Sequence, residues 1–257
     1  MPTALKITLG NTTISRSLGK ISDYAYTPPA LDNLVGWFNI GIDAKRSRKN
    51  WAPGGDDAVV VGAPTFHADG GARFTSLSAY MQTSIPETDD LTIMVVAKSS
   101  DTFADLAHRP AFVSTYTGVG ASNSAVTSDG AMLSVIGVGT VRMTAYRRAV
   151  DGSATHSGSS NNITPDLANW GCYFGTINGL VSRVRDKTGG SSSSFTHSLP
   201  RFRSANTFRI GSAFNGLGGH CDILTVGLWS APLSDATEEA AYQQAKADAA
   251  ARYGIDI

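Results

Sequence analysis

The feature that most constrains this chain is the regular alternation of short β-forming runs with turn residues from residue 34 to residue 229. Valine, isoleucine, threonine and aromatic residues fill the runs, and glycine, proline, asparagine and serine separate them. The most apolar run, residues 91–97, predicts a central strand buried on both faces. Many short strands at turn-marked spacing predict a β-sandwich or a barrel.

Two local signals are more specific. Asn178-Gly179 separates two strand-like runs and predicts a hairpin with these residues at the centre of a type I′ turn, which requires positive φ at both positions. Near the C-terminus, Asp235 and Glu238 have capping-box spacing, and Gly254 provides a stop signal. These signals predict a helix over residues 235–253. Ala241, Ala245 and Ala249 form a stripe of small side chains that would let this helix pack closely on a sheet.

The length of 257 residues suits one large all-β domain. Residues 1–30 differ from the rest, because two short strand-like runs at 5–9 and 12–15 are followed by Pro28-Pro29, which cannot donate to a β-ladder. We therefore predict an N-terminal arm or attachment segment over residues 1–30. The domain itself, with its helix, is predicted over residues 31–257.

Charge and hydropathy exclude several partners. Lys plus Arg and Asp plus Glu both total 21, so no global field attracts nucleic acid or an anionic membrane. No apolar run approaches the roughly 20 residues of a membrane helix, and the N-terminus has no signal-peptide pattern. The expectation is synthesis in a cytoplasm and a place in an assembly, as a homo-oligomer or beside other proteins.

The two cysteines, Cys172 and Cys221, are too few for a disulfide framework and lack zinc-site spacing. Each lies in an apolar run, which favours two buried free thiols over a bridge between neighbouring strands.

Several segments resemble the laminin-G-like, concanavalin A-like jelly-roll family. They are LVGWF at 34–38, VVGAPTF at 60–66, ARF at 72–74, LTIMVVAK at 91–98, FRIGS at 208–212, HCDILTVGLW at 220–229 and APLSD at 231–235. The resemblance covers residues 34–253 and implies a two-sheet antiparallel jelly-roll sandwich with one C-terminal helix. Family members include lectins, adhesion modules, carbohydrate-binding appendages of enzymes and bacteriophage tail proteins, so the resemblance specifies fold better than function.

Catalysis is not expected. The glucanases that share this fold need two carboxyl groups facing each other, yet the chain has only three glutamates, Glu87, Glu238 and Glu239, and no predicted strand carries two of them. No nucleophile elbow or zinc-protease helix occurs. With many serines and five scattered histidines, a chance Ser-His-Asp approach is left open.

No cofactor or metal is predicted. Calcium bound by loop oxygens is the alternative that the family resemblance raises, although the candidate residues have no diagnostic spacing and are typical of turns. They are Asp129, Asp151, Asn161, Asn162 and Asp222.

Glycan binding has a physical basis in two predicted strands. Alternation places Arg142, Thr144 and Tyr146 on one face, and Arg183 and Arg185 share a face that we expect one strand or so away. Arginine forks and a tyrosine ring could hold acidic glycans, whereas a solvated face or a subunit interface is the plainer interpretation. Trp51 and Tyr116, both near loops, are weaker candidates.

The resemblance, the missing signal-peptide pattern, the neutral composition and the N-terminal segment together favour a non-catalytic structural or adhesion protein of a bacteriophage virion. The expected location is a tail, fibre or decoration, with the arm contacting other virion proteins and with host surface glycans as ligands. The alternative is a soluble lectin or carbohydrate-binding module outside a virion.

Overall fold

The computed structural model describes residues 6–9, 12–15, 26–156 and 161–257. Two antiparallel sheets lie face to face, and one long helix follows the last strand. The predicted all-β sandwich with a C-terminal helix is confirmed, and the arrangement is consistent with a jelly roll.

The strands in chain order are β1 (Lys6–Leu9), β2 (Thr12–Ser15), β3 (Leu34–Asn39), β4 (Val59–Val61), β5 (Thr65–Phe66), β6 (Ala72–Thr75), β7 (Tyr80–Pro86), β8 (Leu91–Lys98), β9 (Ala111–Ser114), β10 (Gly118–Val119), β11 (Thr127–Ser128), β12 (Ala131–Gly137), β13 (Thr140–Ala145), β14 (Arg147–Arg148), β15 (Thr155–His156), β16 (Asn162–Ile163), β17 (Gly171–Asn178), β18 (Val181–Asp186), β19 (Ser192–Thr196), β20 (Thr207–Ile210) and β21 (His220–Trp229). The helices are α1 (Ala44–Ser47) and α2 (Asp235–Tyr253), and Leu106–His108 forms a 3₁₀ turn.

One sheet has seven strands in the order β16-β13-β12-β9-β20-β7-β4. The other has eight, in the order β19-β18-β17-β8-β21-β6-β5, with β3 also paired to β21. Strand β21 is long enough to pair β6 along its first half and β3 along its second half, while β8 runs along its other side. The most apolar run of the sequence therefore lies next to the strand with the most partners, and every residue of β8 except Lys98 is buried.

The main core fills the space between the sheets. Phe112 of the seven-stranded sheet and Tyr173 of the eight-stranded sheet stack with ring centroids 5.9 Å apart and ring planes within 7°. Gly175 of the eight-stranded sheet faces Met143 of the seven-stranded sheet. The two lie so close that a Cβ atom on Gly175 would be 2.5 Å from the Met143 sulfur. Such contacts fix the separation of the sheets, because a close-packed core tolerates few changes in volume.

Helix α2 covers the outer face of the eight-stranded sheet. Its alanine stripe is buried there against Trp37, Met94, Phe174 and Trp229. The helix spans Asp235–Tyr253, as predicted, with Ser234 as its N-cap, whose Oγ accepts a hydrogen bond from the Thr237 amide. Gly254 ends the helix with φ of +69°, as predicted.

The Asn178-Gly179 hairpin forms with a shifted turn. Asn178 pairs with Val181, so Gly179 and Leu180 are the central residues. Gly179 has φ of +52°, whereas Leu180 is not among the residues with positive φ. The predicted type I′ turn is therefore wrong, and the turn has the single positive φ of type II′.

The two strands expected in the first 30 residues correspond to the paired strands β1 and β2. Residues 1–5, 10–11 and 16–25 lie outside the described residues, so the attachment role of segment 1–30 stays a prediction. At the end of this segment, the Tyr26 hydroxyl donates a 2.6 Å hydrogen bond to Asp248 of α2. No helix in the described part of the chain has both the length and the apolar character to cross a membrane.

Both cysteines are buried free thiols, as predicted. Cys172 lies on the helix-covered face of the eight-stranded sheet and Cys221 on the core face. Burial raises the pKa of each thiol, which disfavours the reactive thiolate.

We expect neither thiol to react with Ellman's reagent in the folded protein at neutral pH, and both to react after unfolding in guanidinium chloride. The measurement is the absorbance change per chain in the two conditions. Rapid labelling of the folded protein, or fewer than two thiols in the unfolded protein, would contradict the burial or the free state of these cysteines.

Candidate functional site

The outer face of the seven-stranded sheet carries the candidate site. Along β13 the side chains of Val141, Met143 and Ala145 enter the core, so Arg142 and Thr144 lie on the outer face. Ser134 on the neighbouring strand β12 is paired in register with Arg142 and lies on that face too.

A cavity of about 200 Å³ opens on this face. Its polar lining comes from Arg109, Tyr116, Asp129, Arg142 and Thr144. Its apolar lining includes Leu106, Met132, Ile136 and Leu217. We call this cavity the Arg142 pocket. Two of the predicted glycan-binding residues, Arg142 and Tyr116, are therefore brought together.

The cross-strand neighbour Asn162 fixes the orientation of Arg142. The Nε atom of Arg142 donates to Oδ1 of Asn162 over 2.8 Å. Its two Nη atoms have no hydrogen-bond partner among the described residues. Burial alone lowers the pKa of this guanidinium, and no carboxylate of the described chain pairs with it.

Arg109 is held in a similar way by the loop before β9. Its Nε donates to the carbonyl of Phe103 over 3.2 Å, and one Nη atom lies 3.5 Å from the carbonyl of Ala104. Two guanidinium groups thus line the Arg142 pocket, both restrained through backbone or amide oxygens rather than by carboxylates.

Tyr116 and Asp129 complete the polar wall. The Tyr116 ring packs against a small apolar cluster of Ala111, Met132, Ala213 and Leu217. Burial, and secondarily the charge of Asp129, raise the pKa of the Tyr116 phenol, so the hydroxyl stays a donor at neutral pH. Asp129 accepts a 3.1 Å hydrogen bond from the Thr117 hydroxyl and has oxygen lone pairs to spare.

Two other candidates lie elsewhere. Tyr146 follows the end of β13 and packs edge-on against Phe202, with ring centroids 6.2 Å apart. Trp51 packs edge-on against Tyr26 at 5.5 Å, beside the cluster under helix α2. Neither lines the Arg142 pocket.

The expectation that Arg183 and Arg185 lie a strand or so from Arg142 is wrong. They belong to β18 of the other sheet, and their side chains meet helix α2 on the opposite side of the sandwich. Arg183 reaches Oε1 of Glu238 over 2.6 Å and Arg185 reaches Oε2 over 2.9 Å. The Glu238 side chain has no exposed surface, so these arginines fasten the helix to the sheet through a buried carboxylate.

Sequence reasoning missed Arg109 and missed Asp129 as a pocket residue. Both lie in loops, and no local pattern sets them apart from other turn residues. The partners of Glu87 were not predicted either: its side chain is buried and ion-paired with Arg201, and accepts a 2.8 Å hydrogen bond from Thr115. An isolated glutamate beside a strand gives no sequence signal of such a partner.

The structure does bring a serine, a histidine and an aspartate together. Nδ1 of His220 lies 2.9 Å from Asp101, and Nε2 lies 3.3 Å from the hydroxyl of Ser100. Asp101 also accepts a hydrogen bond from the His220 backbone amide, which ties the start of β21 to the loop after β8. Neither cavity described in this section is lined by these three residues, and a hydrolase needs a substrate cleft with oxyanion donors.

A second cavity, of about 280 Å³, lies at one end of the sandwich between the sheets. Its wall is mainly apolar, with Ile85, Leu91 and Phe208 among the lining residues. Ser84 and Asp56 on its rim hydrogen-bond to each other. This cavity offers few directed polar groups for a ligand.

The residues considered for calcium do not converge. Asp222 pairs with Arg73, Asp151 accepts hydrogen bonds from Ser153, and Asn162 accepts from Arg142. Within residues 26–156 and 161–257, no group of three His, Cys, Asp or Glu side chains is placed to hold a metal ion.

Comparison with known proteins extends the fold assignment. No family model and no curated protein matches the sequence. Solved structures do match. The binding domain of botulinum neurotoxin DC in complex with SialylT has 9% identity and a TM-score of 0.58, with 84% of this chain and 52% of that chain covered.

The botulinum neurotoxin serotype D ligand binding domain in complex with N-acetylneuraminic acid has 12% identity and a TM-score of 0.58, over 83% of this chain and 51% of that one. The receptor binding domain of botulinum neurotoxin D has 12% identity and a TM-score of 0.56, with 83% of this chain and 52% of that chain covered. This chain therefore spans about half the length of each matched structure. At these identities the similarity establishes a shared β-sandwich fold, and these neighbours are binding domains by name.

The ion pairs of Glu238 give a stability prediction. Glu238→Gln should lower the free energy of unfolding by about 2–3 kcal/mol, because two partly buried guanidinium groups lose their shared carboxylate. The matched control is Glu239→Gln, whose carboxylate is 47% exposed and paired with Lys187, with an expected loss under about 1 kcal/mol. Urea unfolding followed by tryptophan fluorescence measures both, and equal losses would show that Glu238 does not fasten the helix.

Proposed function

We propose that this protein is a non-catalytic carbohydrate-binding module and that the Arg142 pocket holds the sugar. The observation that carries the proposal is the convergence of Arg109, Arg142, Asp129 and the Tyr116 hydroxyl beside an apolar wall. Sugars present both hydroxyl groups and C–H faces, so their sites combine directed polar groups with apolar or aromatic surface.

The floor of the pocket is built on two paired strands. Arg142 and Thr144 belong to a paired strand, and Arg142 is held by Asn162. Preorganised groups bind with a smaller loss of conformational freedom, which matters for a ligand that makes few contacts. The volume of about 200 Å³ suits a terminal sugar unit rather than a buried oligosaccharide, since cavities for drug-sized ligands span roughly 300–1,000 Å³.

The fold supports the same proposal. Two of the similar structures are named with a bound sugar or glycan-like ligand, SialylT or N-acetylneuraminic acid. About half of each of those structures has no counterpart in this chain. Their ligands therefore lend support to sugar binding as a class, and the position of the site is argued from this chain's own residues.

A glycan array followed by calorimetric titration of the best ligand tests the proposal. Tyr116→Phe and Asp129→Asn should each weaken binding by about 3–30-fold, because each removes one hydrogen-bonding partner of the sugar. Asp32→Asn is the matched control, since Asp32 is exposed and remote from the pocket. Absence of binding to any glycan at millimolar concentration, with the protein folded, would end the proposal.

Placement of this module in a bacteriophage virion is the finer part of the proposal. It is supported by the family resemblance, the neutral composition and the N-terminal segment that precedes the sandwich. In that setting the segment 1–30 contacts other virion proteins, copies of the chain associate with one another, and the Arg142 pocket faces a host surface.

Electron microscopy of purified particles with a gold-labelled antibody against this chain tests the location. Label at a constant position on the particle is expected. Absence of the chain from purified particles would reject the virion location and leave a lectin outside a virion, which the glycan measurements address separately.

A further inference from the structure

Arg142 has no carboxylate partner and its Nη atoms have no partner among the described residues. The buried Arg147 and the partly buried Arg209 also lack a carboxylate, but their Nη atoms donate to backbone carbonyls. Most of the other buried or partly buried arginines have an acidic partner. Arg73 pairs with Asp222, Arg201 pairs with Glu87, and the arginines under the helix pair with Glu238. Arg142 is partly buried and has one amide oxygen as its partner among the described residues. A partly buried guanidinium loses hydrogen bonds to water, and here no anion of the chain replaces them.

The unpartnered atoms are those that a ligand would reach. Because Nε is bound to Asn162, the guanidinium retains the edge formed by its two Nη atoms. That edge can donate two hydrogen bonds to the two oxygens of one carboxylate, the arrangement that makes such pairs strong and directional. Arg109 adds a second positive charge, while Asp129 is the one acidic group of the lining, so the pocket has an excess of one positive charge.

Ser134, the cross-strand neighbour of Arg142, also has an unpaired side chain, although it does not line the pocket itself. It is fully buried, its hydroxyl has no hydrogen-bond partner, and it is paired in register with Arg142 on the outer face of the sheet. A buried hydroxyl without a partner is unfavourable by about 1–3 kcal/mol. It lies between Met132 and Ile136 on β12, two residues that line the pocket.

We infer that the Arg142 pocket selects sugars that carry a carboxylate, of the sialic acid or uronic acid type, and that Arg142 binds this carboxylate. The inference rests on the proposed function, because it names the class of sugar for the same site. The Tyr116 hydroxyl and Asp129 then hydrogen-bond to the sugar's hydroxyl groups. The carboxylate supplies the anion that the chain does not provide.

The test compares ligands that differ in the carboxylate alone. Sialyllactose, its carboxyl-reduced form and lactose are titrated calorimetrically into the wild-type protein, together with an oligosaccharide of glucuronic acid and its carboxyl-reduced form. At least one of the two carboxylated sugars should bind about tenfold or more tightly than its reduced form. The two pairs show whether the carboxylate comes from a sialic or a uronic acid.

Arg142→Gln should remove this preference, so that the carboxylated sugar and its reduced form bind within about twofold of each other. Arg142→Lys keeps the charge but loses the paired donors, and an intermediate preference is expected. Arg48→Gln is the matched control, because it removes one positive charge from an exposed residue outside the pocket. Thermal unfolding verifies that each variant is folded. The comparison of carboxylated with reduced sugars on the wild-type protein does not depend on any variant.

The outcomes separate this inference from the proposed function. If carboxylated and reduced sugars bind the wild-type protein equally, the inference is wrong and sugar binding stands. The carboxylated sugar is also competed with inorganic phosphate and with acetate at equal concentration. If phosphate displaces it as well as acetate does, while the reduced sugar still binds, the pocket is a general anion site and the inference fails. If no sugar binds at all, the proposed function fails first.

Discussion

Burial of the eight-stranded sheet on both faces is the constraint on which the rest of this structure depends. Strand β8 has core residues on one side and the cluster under helix α2 on the other. Glu238 joins the helix to Arg183 and Arg185, so the covering element is held by charge as well as by its alanine stripe. One outer face of the sandwich is thereby closed, and the seven-stranded sheet is left as the broad face on which a ligand can bind.

Features set by local periodicity could be predicted from the sequence. The alanine stripe follows helical spacing, and the continuous apolar run 91–97 marks a strand buried on both faces. The stop at Gly254 follows from a left-handed backbone that glycine adopts readily. The hairpin at Asn178-Gly179 was predicted correctly, but its two central residues lie one position later than predicted. The cross-strand register decides which residues are central, and the local sequence does not show it.

The site was harder to predict, because it depends on sheet order. Arg109, Tyr116, Asp129 and Arg142 come from four segments whose meeting follows from the order β13-β12-β9 and from the loops above it. Arg183 has the same strand alternation as Arg142, yet one meets a buried glutamate and the other meets none. Charge patterning along a strand identifies a polar outer face, and only the tertiary structure shows which residues already have partners.

The two cysteines add a consequence for where such a module can work. Cys172 and Cys221 lie on opposite faces of one sheet, with β8 between their strands, so no bridge can join them and neither thiolate forms readily. The fold therefore does not depend on a disulfide between them. A chain made under reducing conditions and used under oxidising ones would keep both thiols free within the fold.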